Sequence, residues 1–244
     1  MAKLRRELAS LRTARDTKKA QRRRNAVPSV AIAGYTNAGK SSLLNRLTGA
    51  GALVENALFA TLDPTTRRTQ TSDGRVYTLS DTVGFVRHLP HQLVEAFRSA
   101  LEEVAESDLI LHVVDGSHPD PEGQLAAVRE VLLEIGAEQV PEIVVINKAD
   151  TADPLVVKHI LAREPHAVVV SAHSGEGIDE LLSAIEADLP RPSTLVDVVV
   201  PYSRGDLLSQ VHETGEIESL DHAGDGTHVV ARVSDELAAQ LNQL

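Results

Sequence analysis

Apolar and polar positions along the chain repeat with two distinct periods. Short apolar or alternating runs at about residues 29–33, 75–80, 108–114, 142–146 and 167–170 predict strands, and an edge strand is expected near 67–72, joined onward through an Asp73-Gly74 turn. Between these runs apolar residues recur at three- and four-residue intervals, which predicts helices at about 40–48, 91–106, 121–135, 154–163 and 176–188. Leu93, Phe97, Leu101 and Val104 mark the core face of the second helix, and Leu181, Leu182 and Ile185 that of the last. This alternation is what an α/β fold with a doubly wound, mostly parallel sheet requires. Pro190-Arg191-Pro192-Ser193 then makes a stiff break. After it come a strand at 195–200, a short helix at 205–213, a hairpin at 215–221 and 227–233, and a helix at 234–244 with Ser234 as N-cap. That order predicts a small α+β domain. The expected division is a basic helical segment at 1–26, an α/β domain at 27–190 and the α+β domain at 194–244.

The strand ends hold the candidate chemistry. Gly34-Tyr35-Thr36-Asn37-Ala38-Gly39-Lys40-Ser41 fits G-x-x-x-x-G-K-[ST] between the first predicted strand and a helix that opens on Ser42. Glycines let successive backbone N–H groups turn inward, and with the positive end of the helix dipole they form a cradle for phosphate oxygens. Lys40 is placed to reach the outer phosphates, and the Ser41 hydroxyl to ligate Mg²⁺. This makes a P-loop nucleotide site the expectation, against a plain glycine-rich turn.

Three segments further along narrow the ligand. Asp81-Thr82-Val83-Gly84 ends the strand expected at 75–80, where Asp81 can hold a Mg²⁺-bound water and the Gly84 N–H can sense a γ-phosphate. Asn147-Lys148-Ala149-Asp150 follows an apolar strand, and a carboxylate at Asp150 can accept from both the ring N–H and the exocyclic amine of guanine. Ser171-Ala172-His173 follows 167–170, with the backbone N–H groups of Ser171 and Ala172 expected to meet the guanine carbonyl oxygen. N-K-x-D alone also suits a polar turn closing a strand. Four motifs in this order predict a GTP-binding G domain.

The phosphate loop, the run Leu58-Phe59-Ala60-Thr61-Leu62-Asp63-Pro64-Thr65-Thr66-Arg67 and the run Asp81-Thr82-Val83-Gly84-Phe85-Val86-Arg87-His88-Leu89-Pro90-His91 closely resemble the HflX family. Members of that family are translation-factor-related GTPases that bind the large ribosomal subunit and dissociate stalled or idle ribosomes. The resemblance is firm over about 27–190 and looser beyond. It implies Mg²⁺-dependent hydrolysis of GTP to GDP, with the large subunit and ribosomal RNA as partners. It implies Thr61 as the switch threonine that joins Ser41 and Asp81 on Mg²⁺, within a nucleotide-contacting stretch of Phe59, Ala60, Thr61, Leu62 and Asp63; Thr65 and Thr66 compete for the role. Residues 51–66 lack clean periodicity, as a switch loop should.

Phe85 stands where many small GTPases carry the glutamine that orients the attacking water, which an aromatic ring cannot do. Lys40, Gly84 and Asn37 are therefore the catalytic candidates. In several related GTPases an asparagine at the Asn37 position helps hold K⁺, so potassium joins Mg²⁺ among the expected cofactors; a loop asparagine bonding its own backbone is the alternative. His88 and His91 suit solvated switch residues, and Pro90 between them rules out a regular helical metal pair. Family members usually carry an N-terminal domain and a helical pair ahead of the G domain. Residues 1–26 match only the last helical piece, so contacts made by that domain are not expected here.

Charge sharpens the partner expectation. Residues 1–24 hold ten of the 24 Lys and Arg against two of the 35 acids, leaving 14 bases and 33 acids in the rest. An acidic body argues against wide nucleic-acid binding, and DNA is not an expected partner. A basic arm suits a local contact with ribosomal RNA phosphates, or a solvated helix with Leu4, Leu8 and Leu11 on one face. There is no cysteine, no tryptophan, no apolar run near the ~20 residues of a membrane helix and no signal-peptide pattern. A monomer in the cytoplasm is the expectation, with no membrane partner.

Overall fold

The computed structural model describes residues 27–49, 65–72, 74–82, 84, 85, 101 and 103–244. Residues 1–26, the run at 59–63, Val83, His88, His91, Leu93 and Phe97, together with the turn residue Asp73, lie outside the described residues, and so do the expectations placed on them. One compact unit spans Pro28–Ser72 and Tyr77–Pro190; Arg191–Leu244 belongs to another.

The first unit is a six-stranded sheet, with β1 (Ser29–Gly34), β2 (Thr65–Gln70), β3 (Val76–Asp81), β4 (Leu109–Asp115), β5 (Glu142–Asn147) and β6 (Val168–Val169) in the order β2-β3-β1-β4-β5-β6. β3, β1, β4, β5 and β6 are parallel, in a register that sets Ile32 beside Asp81 and Leu111, and Asp115 beside Asn147. Asp81, Asp115 and Asn147 thereby come to the same, carboxyl-terminal edge. The edge strand starts and ends two residues earlier than the sequence suggests, because Ser72 already turns away, its backbone N–H and hydroxyl donating to Glu186 at 3.0 and 2.7 Å. Exposed Arg67 and Arg68 on that strand discourage pairing with other chains.

Helices cover both faces: α1 (Lys40–Thr48), α2 (Pro121–Glu134), α3 (Pro154–Arg163) and α4 (Ile178–Asp188). Pro121 and Pro154 occupy first-turn positions, and the capping side chains of Asp120 and Asp153 accept from Gly123 N and Leu155 N at 2.9 and 2.8 Å. α4 starts two residues later than expected, after Gly177 in a left-handed turn. Of the helix expected at 91–106, Leu101 and 103–105 are described and helical. Val30, Ile32, Leu109, Leu111 and Val113 pack with Leu43 and Leu47 of α1 and Leu181 and Ile185 of α4. The opposite face divides between Ala31, Ala33, Phe85 and Ile110 under Val128 and Leu132, and Val144 and Ile146 under Ile160. These two alternating sets are the period-2 pattern of strands buried on both sides.

The second unit has β7 (Thr194–Val200), β8 (Glu216–His222) and β9 (Thr227–Val233) in an antiparallel sheet ordered β7-β9-β8, with α5 (Gly205–Thr214) and α6 (Asp235–Leu241). Ser234 caps α6, accepting from Leu237 N at 3.3 Å. Val196, Val200, Val229, Ala231 and Val233 meet Leu207, Val211, Leu237 and Leu241 in its core. Among the described residues no helix is long and apolar enough to cross a membrane.

Candidate nucleotide-binding site

Between β1 and α1 the chain makes a loop that depends on two left-handed residues, Asn37 at φ 62° and Gly39 at φ 94°. Gly39 is also the residue that caps α1, and no side chain caps that helix end. That helix end, where the dipole is positive, is the kind of place that favours an anion. A Cβ on Gly39 would sit 2.3 Å from Asn147 Nδ2, so the loop packs too closely for any other residue.

Lys40 is buried, its ammonium donating to the carbonyl oxygens of Gly34 and Tyr35 at 3.1 and 3.0 Å. Burial pushes its pKa down to about 8, against the opposing pull of Asp81. The Ser41 hydroxyl donates to Asp81 Oδ2 at 2.5 Å, joining the first turn of α1 to the end of β3. A hydroxyl and a carboxylate are the hard oxygen donors that Mg²⁺ prefers, and few protein ligands suffice where phosphates supply others. No cluster of three or more His, Cys, Asp or Glu suited to a metal occurs among the described residues, which fits that sparse ligand set.

The Asp81 segment locks onto the phosphate loop through its backbone. Phe85 N–H donates to the Gly34 carbonyl at 3.1 Å and Thr36 N–H to the Phe85 carbonyl at 2.9 Å, a short parallel bridge. Gly84 is thereby brought so near the loop that a Cβ there would lie 2.8 Å from Thr36 Cγ2 and 3.1 Å from Lys40 Nζ. The Phe85 ring is buried among Ala31, Ala33 and Ile110. The Thr82 hydroxyl turns into the sheet and donates to the Ile32 carbonyl at 2.7 Å, so its side chain braces the strand end. Asn37 is exposed at the loop tip, and its left-handed conformation is one that asparagine tolerates better than most residues.

At the other end of the site Asn147 is buried, donating from Nδ2 to the Ala38 carbonyl at 2.8 Å and accepting at Oδ1 from Ala172 N–H at 3.0 Å. Lys148, left-handed at φ 63°, directs its ammonium to Asp115 Oδ2 at 2.6 Å. Burial raises the Asp115 pKa, but the hydrogen bonds from Lys148 and Ser117 outweigh it and leave the carboxyl below its usual range. Ala149 N–H donates to the Val170 carbonyl at 3.1 Å, tying the turn to the next strand. Asp150 Oδ1 accepts from the Ser171 hydroxyl at 2.6 Å, which with smaller contributions holds its pKa down and keeps it an acceptor.

At the Ser171-Ala172 segment both amides have partners within the protein. Ser171 N–H donates to the Glu176 carbonyl at 2.9 Å and Ala172 N–H to Asn147, so both amides assigned to a purine carbonyl are engaged within the protein. Gly39, Ser42, Asn147, Asp150, Ala172 and His173 are among the residues that border a cleft of about 710 Å³. Two features escaped the sequence. Asp115 was visible as an acid ending a strand, yet nothing in the pattern pairs it with Lys148. Arg46, which borders the cleft and donates to the carbonyls of Ala172 and His173 at 3.0 and 2.5 Å, looked like an ordinary polar position of α1.

The family model described as 50S ribosome-binding GTPase matches residues 29–148, and that of the HflX C-terminal domain matches residues 156–244. A protein named GTPase HflX from Lacrimispora saccharolytica is 44% identical over 98% of this chain and 56% of its own length. The GTPase HflX of Escherichia coli is 39% identical over 82% of this chain and 48% of its own. The chain thus spans about half the length of the curated relatives it matches. Among solved structures, a GTP-binding protein from Sulfolobus solfataricus in complex with GDP is 28% identical with a TM-score of 0.55, over 75% of this chain and 57% of the other. Era, in complex with MgGDPNP and a 16S ribosomal RNA segment, is likewise 28% identical, with a TM-score of 0.56 over 70% and 59%. Its motifs, its fold and these relatives agree, and the chain belongs to the HflX family of GTPases.

Proposed function

We propose that this chain binds guanine nucleotide with Mg²⁺, hydrolyses GTP to GDP and phosphate, and acts as a switch whose two nucleotide states differ in affinity for the large ribosomal subunit. The observation that supports it most is the pair of hydrogen bonds by which Asn147 donates to the phosphate loop and accepts from the Ala172 segment, with Asp150 held ready by Ser171. A base and a phosphate tail gripped at those two ends occupy a single rigid frame. Asp150 accepts from the ring N–H and amine of guanine, whereas adenine presents a different pattern and leaves the carboxylate unsatisfied.

At the other end Lys40 shifts from the Gly34 and Tyr35 carbonyls to the β- and γ-phosphate oxygens, which restores full charge to its ammonium. Ser41 and Asp81 would hold Mg²⁺, with Thr61 proposed as a further, switch ligand, and the bound ion would supply positive charge against the phosphate oxygens. Gly84 lies beside Lys40, where its N–H detects a γ-phosphate and moves the segment that follows. Association with ribosomal RNA through the basic segment 1–24 and dissociation of ribosomes belong to the same proposal, which the family description and the Era complex support.

A second reading is favoured by Phe85. Its ring is buried in the core, and it leaves the position after Gly84 without a group that orients water. On that reading the chain holds nucleotide as an interaction module and turns it over negligibly unless a partner, or K⁺ at Asn37, completes the site. Phosphate release measured with and without large subunits, in potassium and in sodium, separates the two. Asp150→Asn tests the base assignment: preference moves from guanine to xanthine nucleotides, and an unchanged preference for GTP removes Asp150 from that role.

A further inference from the structure

The amides of the loop after β6 are almost all engaged. Ser171 N–H bonds to Glu176, Ala172 N–H to Asn147 Oδ1, Ser174 N–H to Ser171 Oγ at 3.1 Å and Gly175 N–H to the Ser171 carbonyl at 2.8 Å. Among the described residues none takes the His173 N–H. The carbonyl of the same peptide unit, that of Ala172, receives Arg46 Nε at 3.0 Å, and the next carbonyl, that of His173, receives Arg46 Nη2 at 2.5 Å. Among the described residues there is no cis peptide bond. In a trans peptide the N–H points opposite to the carbonyl, so a guanidinium that fixes the Ala172 oxygen also fixes the direction of the His173 N–H. The planar fork of arginine is suited to holding two such oxygens at once.

We infer that Arg46 is a positioning and specificity-determining residue of the base site: from α1 it orients the Ala172–His173 peptide so that the His173 N–H donates to the purine 6-carbonyl. This rests on the guanine-nucleotide reading above and deepens it. Asp150 and the His173 N–H then face the base as acceptor and donor. Guanine offers the matching donors and carbonyl, whereas adenine turns a 6-amino donor toward the His173 N–H. Arg46 lies six residues after Lys40 on the same helix, so the element that grips the phosphates also sets the donor that reads the base. Gly175, at φ 95°, supplies the left-handed turn of this loop beside the Arg46 guanidinium.

The test compares GDP with 6-thio-GDP on the full chain with Mg²⁺, because sulfur at position 6 is a weaker acceptor while the edge read by Asp150 is kept. Wild type is expected to prefer GDP. In Arg46→Ala the affinity for GDP falls about tenfold and that for 6-thio-GDP by less than about threefold, so the preference collapses. Arg46→Lys, which can hold one carbonyl, is expected to lie between, and serves in place of the alanine variant should that variant not fold. In amide spectra the His173 proton moves downfield on GDP addition to wild type and not to Arg46→Ala. Equal loss for both nucleotides, or a downfield shift at Ala172 instead of His173, overturns the inference. No GDP binding by wild type overturns the guanine-nucleotide reading and this inference with it.

Discussion

The Asn147 side-chain amide donates to the carbonyl of Ala38 at 2.8 Å, across a sequence separation of 109 residues. Its oxygen accepts from Ala172 N–H. One buried side chain therefore joins the phosphate loop, the end of β5 and the loop after β6. The close approach of Gly39 to the same amide leaves no room for adjustment. In this chain, a member of the HflX family of GTPases, the joint links the two ends of the proposed nucleotide site.

Removing that joint leaves two buried backbone groups unsatisfied. Asn147→Ala is expected to lower stability by about 2–6 kcal/mol, from about 1–3 kcal/mol for each of the two orphaned groups. GDP affinity falls with it by about a hundredfold or more, since the two ends of the ligand lose their common frame. Asn147→Asp is expected to fare no better, because it sets a carboxylate oxygen against the Ala38 carbonyl. Urea denaturation and GDP calorimetry on each variant check this; wild-type stability in Asn147→Ala would show that the bridge contributes nothing.

Lys40 makes nucleotide binding pH-dependent. Burial lowers its pKa in the free protein to about 8 from an ordinary value of 10.5, so the unfolded chain binds more protons between those values. The nucleotide-free fold therefore becomes more stable as pH rises from about 8 toward 10.5. Phosphates favour the ammonium, so binding at pH 9 takes up close to one proton and affinity weakens as pH climbs above 8. Calorimetry in buffers of differing ionisation enthalpy reads the proton count directly. Zero uptake at pH 9 would place Lys40 away from the phosphates.

Gly39→Ala should separate folding from binding. The left-handed φ costs roughly 1–2 kcal/mol for any residue with a Cβ, and the added methyl meets Asn147 Nδ2 at 2.3 Å. Relief requires the loop to open, which carries the N–H groups of α1 away from a phosphate. The expected outcome is a folded protein by circular dichroism, with GDP affinity reduced at least about tenfold. Retained affinity would mean that the loop reorganises on binding and that its geometry here is not the one that grips phosphate.

The α/β sheet was legible because its inner strands are apolar or alternating runs and the motifs follow their ends. Asp81, Asn147 and Asp150 could be placed at or just after strand ends before any coordinates for that reason. What escaped was whatever depends on contacts between distant segments. The engaged amides of Ser171 and Ala172 are an example: sequence shows the S-A pair, but the acceptors come from Glu176 and Asn147. The partner of the Thr82 hydroxyl escaped for a similar reason, since the β1–β3 register is what puts the Ile32 carbonyl beneath it. Arg46 gave no signal, because an arginine on a helix is by default solvated. The edge strand was displaced by two residues because the Ser72–Glu186 pairing that ends it spans 114 positions.

A half-buried ionic network away from the cleft gives a prediction about stability. Glu142 Oε1 lies 2.5 Å from Nδ1 of His112, which is buried on β4, and the carboxylate also receives the Arg129 guanidinium at 2.8 Å; Arg129 reaches Glu164 at 2.7 Å as well. Burial alone would raise the Glu142 pKa, but the hydrogen bonds from His112 and Arg129 and their charges outweigh it and hold it at about 2, below the ordinary 4.5. A carboxyl with a depressed folded-state pKa contributes stability that is complete above about 4.5 and is lost as pH falls toward 2. The full shift corresponds to roughly 3 kcal/mol, and partial exposure of Glu142 with solvent screening reduces it to about 1–2 kcal/mol. Glu142→Gln is therefore expected to cost about that much at pH 7 and progressively less as pH drops from 4.5, while nucleotide affinity stays near wild type because no member of the network borders the cleft. Denaturant midpoints measured between pH 2.5 and 7 check the shape. A cost that is constant across that range would assign the loss to packing and remove the ionic network from the account. In a cycle with Arg129→Ala, coupling present at pH 7 and gone near pH 2.5 would place the effect in that pair, since protonation removes the charge that both Arg129 and His112 hold.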